Sequence, residues 1–348
     1  MLEGGREHAA RADAIAEERP RQPPSRGSDH EARPGCQDWV MENRRAVVTG
    51  GAGFIGSHVA DRLISLGYQV MVVDNLATGS FSNVAAAARF EQRDVADPAL
   101  EPLLADWRAE VVVHCAAQVS VETSVLDPVL DARSNVLGTV STMRAAVAGG
   151  CRRFVYVTTG GALYGTPRYL PCDEEHPIEP ISPYGLSKWI GERYLGLLAP
   201  ESMPWVALRL ANVYGPRQRS DGEGGVVSIF AERMKSGLPV EITGDGRQTR
   251  DFVYVADVVD AVVAATNATR STEVNIGTER ASSVLDLFGA LAAIAGYSKP
   301  PVFVAPRAGD IRDSRLAIGK ALRELDWRPR TTLEAGLATT YDSMTLPA

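Results

Sequence analysis

The chain has 348 residues, 23% of them charged and 45% hydrophobic, which is enough length for one large α/β domain or two modest ones with a substantial core. Its 36 Lys and Arg stand against 43 Asp and Glu, a net charge of −7, and this argues against a general nucleic-acid or anionic-membrane binder, whose affinity needs clustered cations. No apolar run approaches the ~20 residues of a membrane helix and no signal-peptide core is present, so a soluble, cytoplasmic chain is expected. Cys36, Cys115, Cys151 and Cys172 show no C-x-x-C spacing and read as reduced thiols, with neither a metal site nor a disulfide framework.

Residues 1–43 differ from the rest of the chain. Through Val40 they carry six Arg, eight Asp or Glu and four Pro, with almost no large apolar residues. Burial cannot offset the ordering entropy of such a stretch, so it reads as a disordered leader, a functional tail being the rival reading. Met41, just ahead of the first strand-like run, is a natural start for the folded domain. From residue 46 the pattern alternates. Val-rich runs at 46–49, 69–74, 111–116, 154–158 and 205–210 predict strands. Amphipathic stretches at 56–66, 135–148 and 184–198 predict helices. Continuous apolar strands alternating with helices indicate a parallel sheet buried on both faces. Beyond 210 the order is less regular and richer in Gly and Pro, so 212–250 and 275–348 are expected to build a smaller lobe at the carboxyl end of the sheet.

The first strand runs into Gly50-Gly51-Ala52-Gly53-Phe54-Ile55-Gly56 and then a helix. In a dinucleotide site Gly50 would permit the tight turn, Gly53 the approach of a pyrophosphate and Gly56 close helix–sheet packing, with the phosphates on the positive end of the helix. A glycine-rich strand–helix turn alone says little. Asp74, ending the next strand 18 residues after Gly56, strengthens it: a carboxylate there accepts ribose hydroxyls and repels a 2′-phosphate, which favours NAD over NADP. Asp94 comes after another short segment and reads either as a partner of the adenine amine or as an exposed loop carboxylate. The expected architecture is a Rossmann-type, doubly wound α/β fold. Residues 44–211 would form mainly the NAD-binding domain and 212–348 mainly a substrate-binding lobe, with strands near 251–277 returning to the first domain.

Ser182-Pro183 looks like a helix start, with a good N-cap followed by proline at the first helical position. On that helix Tyr184 and Lys188 are four residues apart and share one face. An ammonium and a nicotinamide ring, both positive, would stabilise phenolate. By itself such a pair more often marks a solvated helix face; its weight comes from following the glycine fingerprint. Thr158 and Thr159 end a strand at the carboxyl edge of the sheet, where a hydroxyl could hold a substrate hydroxyl while Tyr184 removes its proton. The plainer reading is two Thr ending a strand. His58 and His114 read as structural, and Asp173-Glu174-Glu175 as a solvated loop.

The stretches VTGGAGFIGSH, VDNLATG, RDV, HCAAQ, ALYG, SPYGLSK, LRLANVYGPRQ, GDGRQTRDFVYVADV and PRAGDIRDS together make the chain resemble the extended short-chain dehydrogenase/reductases, and within them UDP-glucose 4-epimerase-like proteins, from about Arg45 to the end. The resemblance implies an NAD-dependent nucleotide-sugar 4-epimerase working through a 4-keto sugar, with Tyr184 as general base and acid and Lys188 on the nicotinamide ribose. It implies Asp74 and Asn75 at the adenosine ribose, Asp94 and Val95 at the adenine, and Gly50, Gly53, Phe54, Ile55, Gly56, Thr78, Gly79, Ala116, Ala117, Gln118 and Asn135 around the rest of the cofactor. For a UDP-linked sugar it implies Thr159, Asn212, Val226, Arg250, Arg307, Asp310 and Ser314. Two departures stand out. Four residues before Tyr164, where the family often has the catalytic Ser or Thr, this chain has Gly160, so the role passes to Thr159, with Thr158 as the alternative. Ser314 matches a position that is Tyr in some epimerases and gates the sugar pocket, so N-acetylated or bulkier sugars come within reach. Relatives that dehydrate or decarboxylate carry a carboxylate just before their VYG; here Gly160-Gly161-Ala162-Leu163 offers none. A non-catalytic NAD-binding protein is a further alternative, although both Tyr184 and Lys188 are kept. The resemblance also implies a homodimer through helices around 135–148 and 184–198.

Overall fold

The computed structural model describes residues 44–221, 225–306 and 311–344. The expected leader therefore lies outside the described residues, as do Cys36, Arg307 and Asp310.

The first six strands are β1 (Arg45–Thr49), β2 (Gln69–Asp74), β3 (Arg89–Gln92), β4 (Val111–His114), β5 (Arg153–Thr159) and β6 (Trp205–Leu210), all Val-rich or apolar except the polar edge strand β3. After them come the short β7 (Asn212–Tyr214), β8 (Glu241–Thr243), β9 (Thr249–Arg250) and β10 (Phe252–Tyr254), then β11 (Thr272–Ile276), β12 (Ser282–Ser283) and β13 (Val302–Val304). Seven of them make one sheet in the order β11-β6-β5-β4-β1-β2-β3, parallel throughout. The order reverses between β1 and β4, which opens a crevice at the carboxyl ends of these strands.

Neighbouring residues explain why the runs are continuously apolar. Val48, Val72, Val113 and Leu208 join Val59 and Leu63 of α1 (Phe54–Ser65) in one buried cluster. Val47, Met71, Val112 and Phe154, one position earlier on β1, β2, β4 and on β5, join Leu104 of α2 (Leu100–Trp107) in another on the opposite face. A sheet covered on both faces buries every residue of its inner strands. The helix expected at 135–148 starts earlier. After α3 (Val121–Leu126), α4 (Pro128–Asp131) opens on an Asp127 cap, and a π-helical stretch Ala132–Leu137 leads into α5 (Gly138–Ala148). The strand expected at 111–116 ends at His114, because Cys115 and Ala116 peel away over the glycine turn.

The short α6 (Gly160–Leu163) comes directly after β5, and α7 (Pro183–Leu198) packs on the second face through Leu195. A third apolar cluster holds Tyr214, Phe230, Ile242, Phe252, Leu287, Leu291 and Leu337. It draws together β7, β8 and β10 with α8 (Val226–Lys235), α10 (Val284–Ala295) and α12 (Leu333–Ser343), while α9 (Val255–Ala265) returns to the first face and α11 (Gly319–Leu325) packs beside β11. Among the described residues no helix is long and apolar enough to cross a membrane.

Candidate active site

The glycines of the first turn are dictated by space. Gly50 has φ +69°, and a Cβ on it would stand 2.6 Å from the backbone nitrogen of Ala116. At Gly56 a Cβ would come within 2.2 Å of the Gly50 oxygen, so α1 can begin this close to β1 only without a side chain there. Gly53 is the N-cap of α1 and offers no side-chain cap to its first amides; a Cβ there would meet only the Gly50 oxygen, at 3.1 Å. A helix amino end with open space before it suits an anion. The residues present therefore fit a dinucleotide, with Phe54 and Ile55 supplying the first turn of α1.

At the end of β2 the 7%-exposed Asp74 accepts from Ala52 N at 3.0 Å through one carboxylate oxygen and from Leu76 N at 2.8 Å through the other. Each oxygen keeps a lone pair for a further donor such as a ribose hydroxyl. Asn75 donates to Asp94 at 2.9 Å, Asp94 accepts from Ala96 N, and Val95 beside it is buried. Gly79 lies against Ala52 and Asp74. Exposed Thr78 gives its carbonyl to Arg219 at 2.9 Å. The segment carrying Arg219 crosses α1 as well: His58 Nε2 is 2.9 Å from the Pro216 oxygen, and Arg217 pairs with Asp61 at 2.8 Å. His58 is thus a structural tie, as its position suggested.

Beyond β4, Ala116, Ala117 and Gln118 form the wall opposite the glycine turn. Gln118 and Asn135 bond reciprocally: Gln118 N donates to Asn135 Oδ1, and Asn135 Nδ2 donates to the Gln118 oxygen, both at 2.9 Å. Asn135 is buried and its amide is committed to this loop and to Asp131, so it holds the wall rather than facing the crevice.

Ser182 accepts from Gly185 N and starts α7 with Pro183 in the first turn, which sets Tyr184 at the lip of the sheet's carboxyl edge. Tyr184 is half-buried, and the Thr159 hydroxyl lies close to its phenol. Burial, then the Asp131 carboxylate, pushes the phenol up to about 12, and the nearby Thr159 hydroxyl works the other way. Thr159 also caps α6 by accepting from Ala162 N, whereas the hydroxyl of Thr158, 4% exposed, has no hydrogen-bond partner among the described residues. Lys188 is 3% exposed, with its ammonium 4.5 Å from the Tyr156 ring centre. Burial lowers it to about 8, against the upward pull of Cys115, Glu192 and Asp131. Under it, His114 is neutral, held down to about 3 by burial, with Nδ1 2.7 Å from the Thr49 hydroxyl and Nε2 3.1 Å from that of Thr139. Gly160 carries no hydroxyl for a steric reason: a Cβ there would stand 2.5 Å from Leu316 Cδ1.

On the carboxyl side, Asn212 N donates to the Asp251 oxygen at 2.9 Å and pairs with Phe252. Arg250 donates to the Thr249 and Arg312 oxygens, and Ser314 N, in a 9%-exposed residue, donates to the same Thr249 oxygen. Asn212, Arg250 and Ser314 are therefore gathered around 249–252. Val226 opens α8 and packs against the third cluster. One expectation is corrected: Glu174 is not a solvated loop carboxylate, since it is half-buried and accepts from Asn275 N at 2.7 Å.

A family model described as the NAD dependent epimerase/dehydratase family matches residues 46–277. The chain belongs to this family. It is 42% identical over 305 residues to a UDP-glucose 4-epimerase of Mycolicibacterium smegmatis, covering 86% of this chain and 97% of that one. Among solved structures it is similar to a UDP-glucose 4-epimerase with UDP-glucose from Thermotoga maritima, at 45% identity and a TM-score of 0.84 over 86% of this chain and 98% of the other. It is also similar to a Thermus thermophilus UDP-glucose 4-epimerase in complex with NAD, at 40% identity and a TM-score of 0.81, with coverage of 86% and 98%.

Set in this family, three residues next to the Tyr184–Lys188 pair went unnoticed in the sequence. Tyr156 lies under the Lys188 ammonium. Asp131 is fully buried and takes a 2.5 Å hydrogen bond from the hydroxyl of Ser187. The only sequence signals were an Asp four residues before Asn135 and a Ser directly before Lys188.

Proposed function

We propose that the chain is an NAD-dependent 4-epimerase of UDP-linked sugars, with Tyr184 and Lys188 as the residues that carry the reaction. The observation behind this reading is the placement of Tyr184 and buried Lys188 on α7 beside Thr159, at the carboxyl edge of the same parallel sheet in which β1 ends in a glycine turn fitted to a dinucleotide. Bound NAD supplies a hydride acceptor that returns the hydride later in the same turnover. The chain's own residues do the rest. Thr159 holds the sugar hydroxyl, Tyr184 takes its proton and gives it back, and Lys188 holds the nicotinamide ribose and favours phenolate. Asp74 and Asn75 hold the adenosine ribose, with Asp94 and Val95 at the adenine. Asn212 and Arg250 take the sugar-nucleotide diphosphate, Arg250 offering the planar donor fork that suits a pyrophosphate. Arg307 and Asp310 complete that side by sequence match. Ser314, where a Tyr would narrow the pocket, leaves room for an N-acetyl group.

The lack of a carboxylate in Gly160–Leu163 supports epimerisation over dehydration. We further propose a cytoplasmic homodimer, in which a second copy covers the apolar residues left exposed around 135–148 and on α7, among them Leu137 at 50% and Leu197 at 79%. The two lobes proposed for 44–211 and 212–348 would enclose the sugar between them. The decisive experiment incubates purified protein, without added NAD, with UDP-glucose, UDP-glucuronate and UDP-N-acetylglucosamine, and resolves each from its 4-epimer. Conversion of one is expected. Tyr184→Phe should lower turnover by about 10²–10⁴-fold while leaving the amount of retained NAD unchanged; a variant as active as the parent would overturn the assignment.

A further inference from the structure

Asp131 closes α4, is 0% exposed, and no basic side chain is its hydrogen-bond partner among the described residues. A carboxylate in such a place is costly unless donors surround it. Three do. Ser187 Oγ donates to Oδ2 at 2.5 Å, while Asn135 Nδ2 and Gln118 Nε2 donate to Oδ1 at 2.9 and 3.1 Å. The three donors come from α7, from the π-helical stretch and from the wall of the cofactor crevice. Ser187 is the residue between the Tyr184 turn and Lys188. Asp131 therefore ties the helix carrying the reactive pair to the Gln118 loop by hydrogen bonds.

We propose that Asp131 is a positioning residue for the epimerase reaction: through Ser187 it fixes the first turns of α7 against the Gln118 wall, and its buried negative charge sets how readily Tyr184 and Lys188 exchange protons. The proposal rests on the assignment of Tyr184 and Lys188 made above. A fixed anion beside both groups favours the neutral phenol of Tyr184 and the charged ammonium of Lys188, and its effect on both is upward. The other groups facing the pair come from β4, β5 and α7. From β4, His114 stays neutral and the Cys115 thiol is pushed up to about 12. From β5, the Tyr156 phenol is raised well above its ordinary range by burial. Glu192, further along α7, is locked to Arg209 of β6 at 2.8 Å. Of these carboxylates, Asp131 is the one that acts on both Tyr184 and Lys188, while Glu192 acts on Lys188.

The test compares pH profiles of kcat/KM, together with the tyrosinate absorbance of the NAD-loaded protein referenced to Tyr184→Phe. Asp131→Asn keeps the shape and removes the charge. Both limbs of the profile should then move to lower pH by about one unit, and the tyrosinate signal should appear at correspondingly lower pH. Ser187→Ala keeps the charge and removes a donor that partly neutralises it, so both limbs should move a few tenths of a unit the other way; this variant carries the test if Asp131→Asn does not fold. A residue with only a structural role would lower the rate and leave limbs and absorbance in place, and that result overturns the proposal. If instead Tyr184→Phe turns over normally, the failure belongs to the assignment of the pair and not to Asp131.

Discussion

The buried pair of Glu192 and Arg209 yields a prediction whose size comes from its surroundings. Their side chains are 2% and 5% exposed, with Arg209 Nη2 2.8 Å from Glu192 Oε2 and Nε 3.2 Å from each carboxylate oxygen. Arg209 also donates to the Tyr164 hydroxyl at 3.2 Å, and that hydroxyl donates onward to Asn275. Replacing Arg209 by Met strands a carboxylate that burial already pushes upward. The expected loss is about 3–5 kcal/mol, a large part of a typical folding free energy of about 5–15 kcal/mol. Replacing both, with Glu192→Leu, should recover most of it, because two apolar side chains carry no desolvation cost. The pH dependence has a definite sign. A carboxyl whose folded pKa lies above its unfolded value binds more protons when folded, so stability falls as pH rises through the interval between them. Arg209→Met should therefore be less damaging at pH 5 than at pH 8. Urea unfolding of the parent, both single variants and the double variant at the two pH values, all saturated with NAD, gives the cycle. An additive double variant, or a single loss below about 1 kcal/mol, would refute the reasoning.

Two further outcomes concern the site. Gly56→Ala puts a methyl 2.2 Å from the Gly50 oxygen, which must push α1 off the turn; the purified variant should retain NAD far less well, measured as bound cofactor per chain, with overpacking costing about 1–3 kcal/mol of stability. Enlarging Ser314 to Tyr should lower turnover of UDP-N-acetylglucosamine selectively. Equal losses on UDP-glucose would show that this position is not a gate.

Those parts of the molecule that depend on backbone conformation or on continuous burial could be read from the chain. Gly50 and Gly56 announce a turn because no other residue fits there, and Val-rich runs announce strands covered on both sides. The helix that carries Tyr184 was visible from Ser182-Pro183, a cap and a first-turn proline. What escaped reading depends on partners far along the chain. Asp131 and Glu174 look like solvated charges until Ser187 and Asn275, 56 and 101 residues away, are seen to hold them. Gly160 looks like a lost hydroxyl until Leu316 is seen in the space a side chain would need. The π-helical stretch before α5 left no mark in the apolar spacing, and the bonds of Asp131 and Asn135 to Gln118 that accompany it join residues 13 and 17 apart.

The segment after β7 that crosses α1 bears on how this protein is made. Its ties reach back 158 residues from Pro216 to His58 and 141 residues from Arg219 to Thr78. A ribosome that has delivered β1 through β6 has supplied the glycine turn, Asp74 and the Tyr184 helix, yet the clasp over α1 does not exist until the residues from Ala211 to Arg219 emerge, a loop closed late in synthesis. The nascent chain thus spends much of its synthesis with a dinucleotide cradle open on one side.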